Sequence, residues 1–130
     1  MSALFDWAVI RAVPRPERGE CVNVAVVLFC REAAFLDLRV RLDRTRLIAL
    51  APDLDIAQLA EQVDDLARVC AGGPAGGPIG MLEPHDRFHW LTAPRSTVIQ
   101  PGPVHNGVCA DPAAELDRIA REMLGAAPGG

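Results

Sequence analysis

The chain contains no lysine and no tyrosine, and all thirteen of its basic residues are arginine. Without lysine there is no Schiff-base amine, no phosphate-loop lysine and no lysine to set on the nucleotide of a kinase, so the chain is not expected to be a kinase itself. Cysteine is sparse: Cys21, Cys30, Cys70 and Cys109 stand far apart with no C-x-x-C pair. That spacing argues against a disulfide framework and against a thiolate metal site, and the four read as reduced, buried small hydrophobes. No apolar run approaches the roughly 20 residues that cross a bilayer, and no basic segment with an apolar core opens the chain, so no membrane association and a cytoplasmic location are expected.

What is present is globular. Half of the 130 residues are hydrophobic and 23% are charged, enough to bury one core without metal or disulfide support, and a single domain over residues 1–130 is expected. The net charge of −4 disfavours general nucleic-acid binding, which needs a basic excess. The charge is uneven, however. Residues 11–46 hold eight arginines against five acids, and residues 51–86 hold Arg68 against seven acids, which leaves room for a positive, anion-binding face.

Short apolar runs at 5–13 and 21–30, bounded by turn residues, predict two strands. Residues 34–42 alternate, with Leu36, Leu38, Val40 and Leu42 on one face, and predict a half-exposed antiparallel third strand. The connections at 14–20 and 31–33 are too short for parallel crossovers, so the fold should open as a meander. Thr45 to Ala51 predicts one or two helical turns. Asp55 should cap a longer helix reaching about Ala71, and Asp111 with Pro112 should start a final helix that Gly125 ends. Between them, residues 72–80 read as a flexible Gly/Pro connector, because prolines and the lack of a following helix spoil a phosphate loop. Arg87 to Leu91 reads as a fourth strand, followed by a Pro-interrupted piece with Val98 and Ile99 and a further strand near Val104 to Cys109. The fold class is α+β: a two-layer sandwich with a four- to five-stranded, mainly antiparallel sheet and two main helices.

Several polar residues ask for partners. Asn23 lies inside an apolar strand, where it either pins a neighbouring loop or contacts a ligand. The loop before it sets Arg15, Arg18 and Glu20 around Gly19; the arginines could grip a phosphate or carboxylate, or pair with acids. Beyond Pro94 come Arg95, Ser96, Gln100 and, further on, His105, a dense set of donors and acceptors that suits an internal network or a site. Metal binding is not expected: His85 and His89 would lie about 13 Å apart in a strand. Ser96, His105 and Asp111 are triad residue types with no supporting motif.

Two blocks are distinctive: Arg15-x-x-Arg18-Gly19-Glu20-x-x-Asn23-x-x-Val26-Val27-Leu28-Phe29, and Arg87-Phe88-x-Trp90-Leu91-Thr92-Ala93-Pro94-Arg95-Ser96-Thr97-x-Ile99-Gln100, followed by His105. Together with Asp53-Leu54-Asp55 and the Asp111-Pro112 helix start, they resemble a family of uncharacterised bacterial proteins, a domain of unknown function. The resemblance brings no established activity. It implies genes lying beside those of HipA-like kinases, and hence an accessory or regulatory partner of such a kinase.

The expected function is therefore a cytoplasmic binding or regulatory domain, with no cofactor, whose Arg15, Arg18, Glu20, Asn23, Arg95, Ser96, Gln100 and His105 engage an anionic small molecule or a partner surface. The alternative is a hydrolase or nucleic-acid-processing enzyme with Glu20 and His105 in acid/base roles. The reading leans away from catalysis.

Overall fold

The computed structural model describes residues 2–95 and 97–125. Five strands form one antiparallel sheet: β1 (Ala3–Ala12), β2 (Val22–Cys30), β3 (Phe35–Val40), β4 (Ile99–Pro101) and β5 (His105–Cys109). The order is β3-β2-β1-β4, and β5 pairs with the other half of β1. β1 and β2 are central because both of their faces are apolar. Ala8, Ile10 and Ala12 enter one core cluster with Val27 and Phe29; Phe5 and Val9 enter another with Val26, Leu28 and Cys30.

Helices cover both faces. On the first lie α1 (Arg44–Leu50), α2 (Ile56–Ala71) and α4 (Pro84–Leu91), contributing Leu47, Leu59, Val63, Leu66, Phe88 and Leu91; on the second lies α5 (Pro112–Leu124), contributing Leu116, Ile119, Ala120 and Leu124. The α+β class, the antiparallel sheet and the two main helices are those expected. The two main helices take opposite faces, so the sheet is a middle layer. The reason is the continuous apolar run of β2, which presents large side chains to both sides.

The N-termini follow their capping residues. Asp43 accepts from the Arg46 N–H, Asp55 from the Gln58 N–H, and Asp111 from the N–H groups of Ala113 and Ala114. Residues 72–80 comprise a 3₁₀ turn at Pro74–Gly76 and the one-turn α3 (Gly77–Gly80), closed by Gly73 N–H donating to Gly80 C=O at 2.8 Å.

The expected fourth strand is a correction: Pro84 to Leu91 is helical. Pro84 occupies the first helical turn, where its fixed φ and missing N–H fit, and Phe88 and Leu91 recur at three-residue spacing to reach the core. The Phe-His-Trp-Leu run has strand-forming residues, but an eight-residue segment is too short for its periodicity to separate the two states.

A β-bulge fixes one side chain of interest. β1 pairs Ile10 with Ala25 and Arg11 with Asn23, which leaves Val24 unpaired. Val24 and Ala25 consequently both face the α2 side. Asn23 is turned to the α5 side, where its Nδ2 donates to Met123 C=O at 3.1 Å.

Candidate functional site

The polar residues of the two sequence blocks do not gather. Arg15 Nη2 lies 3.4 Å from Asp53 Oδ1, both side chains largely exposed, at the α1–α2 turn. Arg18 pairs with Glu20 within its own loop, again at the surface. Asn23 closes the C-terminal end of α5 on the opposite face. Gln100 Nε2 donates to Thr97 C=O at 3.0 Å. His105 stacks on Trp7 with ring centroids 4.6 Å apart. Ser96 lies outside the described residues. Because His105 pairs opposite Trp7 while the Glu20 loop returns beside Ala12, about 17 Å of strand separates their attachment points. Such a separation offers no proton-transfer contact between Glu20 and His105.

Arg95 has a local duty. Its Nη1 donates to Leu91 C=O at 3.1 Å and its Nη2 to Trp90 C=O at 2.9 Å, and the guanidinium lies 4.4 Å from the centre of the Trp90 ring. The side chain thus closes the C-terminal turn of α4 and stacks on that helix. Burial lowers its pKa. Arg87 does the same for α2, donating from Nη1 to Cys70 C=O at 2.6 Å and to Val69 C=O at 3.2 Å. Arg41 does it for α5, reaching Leu124 C=O at 2.5 Å. In a chain without lysine, three guanidinium groups donate to carbonyls in the last turns of three helices, some of them, Val69 and Trp90, shared with a backbone N–H.

The other end of α4 is open. Phe88 anchors the helix by stacking on Phe29, with centroids 5.7 Å apart. One turn earlier, His85 meets the same Phe29 ring edge-on at 6.0 Å. The even-numbered residues of β1, Leu4 and Asp6, face this side. Asn106, paired with Asp6 across the β1–β5 ladder, donates from Nδ2 to Asp6 Oδ1 at 2.5 Å. The result is a cavity of ≈370 Å³ lined by Leu4, Phe5, Asp6, Phe29, Arg31, Glu32, His85 and Asn106. A second, of ≈340 Å³, adjoins it through Asp6 and His85 and adds Phe88, His89, Thr92, Ala93, Pro94 and Val104. An aromatic and aliphatic floor with a few convergent polar groups is the usual make-up of a binding cleft.

His85 and His89 share a helix after all, with ring centroids 6.4 Å apart. Among the described residues, however, there is no group of three or more His, Cys, Asp or Glu that could hold a metal. His85 Nδ1 lies 3.5 Å from Asp86 Oδ1. Sequence reasoning passed over Asp6 and Asn106. Asp6 carried the same signal as Asn23, a polar residue inside an apolar strand, and could have been found by it.

Fold and cleft define a small α+β domain with helices on both faces of an antiparallel sheet and an open cleft at the sheet's end. The chain belongs to the family described as Protein of unknown function (DUF3037), whose match covers residues 7–124. No curated protein and no solved structure matches it. Among the described residues no helix is long and apolar enough to cross a membrane.

Proposed function

We propose that this domain is a binding and regulatory module and that the cleft between α4 and the β1–β5 end of the sheet is its recognition site. The observation that carries the reading is the ≈370 Å³ cavity, where Asp6, Asn106, Arg31, Glu32 and His85 converge beside Phe29. Arg15, Arg18 and Arg95 instead face the domain's own carboxylates and carbonyls. An anionic small molecule would meet Arg31 and His85 there, but also Asp6 and Glu32. That balance suits a protein surface carrying both signs better than a free anion.

The partner to test first is the HipA-like kinase that the family resemblance implies. Capture of that kinase by the purified domain should weaken tenfold or more, about 1.4 kcal/mol, for Asp6→Ala or Arg31→Ala. Arg15→Ala and Arg18→Ala should leave it within a factor of about two, as expected for exposed charges at a distance. Loss of capture in the loop variants with full capture in the cleft variants would reverse the assignment.

A further inference from the structure

A separate cavity lies on the α5 face of the sheet, opposite the cleft. The odd-numbered side chains of β3 turn toward α5: Phe35 packs on the α5-side core, and Arg39 meets Asp117 of α5, its Nε 2.7 Å from Oδ1. Arg41, next on that face, reaches the end of the helix. Arg121 stands one turn beyond Asp117 on the same flank. These three arginines and Asp117 line a cavity of ≈230 Å³, with Val40 and Leu124 in its apolar wall.

The charge of this wall is one-sided. Three guanidinium groups face one carboxylate in a chain of net charge −4, whereas the cleft sets Arg31 against Asp6 and Glu32. Nor does the chain itself occupy the three groups. Arg39 gives Nε to Asp117 and Nη1 to Asp37, at 2.9 Å, which leaves Nη2. Arg41 gives Nη1 to Leu124 C=O, but its Nη2 stops 3.6 Å from Asp43 Oδ2, beyond hydrogen-bond reach, and its buried Nε has no acceptor among the described residues. The other carboxylates of this stretch of α5, Glu115 and Glu122, pair with Arg118, so no carboxylate is left for Arg121. Donors left over in a folded protein call for an acceptor from outside the chain.

We infer that this cavity binds a phosphate group. Guanidinium forks match phosphate oxygens, and three of them arriving from a strand and a helix suit a tetrahedral oxyanion better than a planar carboxylate. A helix C-terminus ordinarily repels an anion, but here Arg41 already donates to Leu124 C=O and Asn23 to Met123 C=O, so the end of α5 is closed. Val40 and Leu124 leave an apolar wall for the organic part of a phosphate monoester. This inference is independent of what the cleft binds.

The side-chain Nε–Hε resonances of the ¹⁵N-labelled intact chain, titrated with inorganic phosphate at constant ionic strength, test it. Those of Arg39, Arg41 and Arg121 should shift saturably, while those of Arg87 and Arg95, held at the ends of α2 and α4, should not move. Arg121→Ala should weaken phosphate binding by about tenfold or more, and Arg118→Ala, on the other flank of α5, should leave it within a factor of about two. Arg39→Gln serves the same purpose if Arg121→Ala fails to fold. Absence of saturable shifts overturns the inference, as does binding that survives both Arg121→Ala and Arg39→Gln, or acetate binding as tightly as phosphate. Binding abolished by Arg31→Ala would place the anion in the cleft and overturn it too.

Discussion

The two ends of α4 use their polar side chains differently. At the C-terminal end Arg95 donates to the Leu91 and Trp90 carbonyls and stacks on Trp90, so that its guanidinium is occupied by the helix it follows. At the N-terminal end His85 makes aromatic contacts with Phe29 and lies over a cavity it shares with Asp6, Arg31, Glu32 and Asn106. The difference teaches where to look for recognition in such a chain. A helix C-terminus presents carbonyls that must be closed, and in a chain without lysine arginine is the permanently charged donor for it, so a run of conspicuous arginines can mark helix ends.

The comparison can be broken from its closed side first. Arg87→Ala should be the most damaging of these substitutions, costing about 2–3 kcal/mol by urea denaturation, because a charged donor is lost from the Cys70 and Leu82 carbonyls. Arg95→Ala should cost about 1–2 kcal/mol, through two carbonyl bonds and the Trp90 stack. An Arg95→Ala protein of unchanged stability would place that side chain on the functional side of the comparison.

A pH effect of similar scale comes from Cys70, whose carbonyl Arg87 holds. Burial pushes the Cys70 thiol up to about 12, with Asp37 adding to the shift and Arg87 and Arg39 opposing it. The unfolded thiol ionises near 9.0, so the stabilisation is fully present below that pH and is lost as pH rises from about 9 toward about 12. The unfolding free energy from urea titrations should fall across that window by about 1 kcal/mol per pH unit, and Cys70→Ala should flatten the slope. A thiol reagent at neutral pH should modify exposed Cys21 and spare Cys70 until the chain unfolds. The smallest effects belong to the surface loop: Arg15→Ala and Arg18→Ala should change stability by no more than about 0.5 kcal/mol, since their ion pairs are solvated.

Much of the fold was legible because its signals are local. The apolar run of β2, the alternation around Leu36 and Leu38, and the Asp55 and Asp111 caps each act within a few residues. What could not be read was tertiary. Whether Arg87 faces solvent, a ligand or the end of α2 depends on where α4 packs, and misreading α4 as a strand sent His85 and His89 to the wrong spacing. Asn23 was rightly singled out as needing a partner, but the bulge at Val24 decides which face supplies it. The cleft joins residues from β1, the β2–β3 turn, α4 and β5, which no sequence spacing connects.

The central claim is that the capping arginines hold the domain together while the cleft binds its partner. The most direct test measures urea stability and kinase capture side by side for Arg95→Ala and Asp6→Ala. Arg95→Ala should lose about 1–2 kcal/mol of stability and keep its capture, while Asp6→Ala should keep its stability within about 0.5 kcal/mol and lose capture tenfold or more. An Arg95→Ala protein that is fully stable yet no longer captures the kinase, beside an Asp6→Ala protein that captures it normally, would contradict the account.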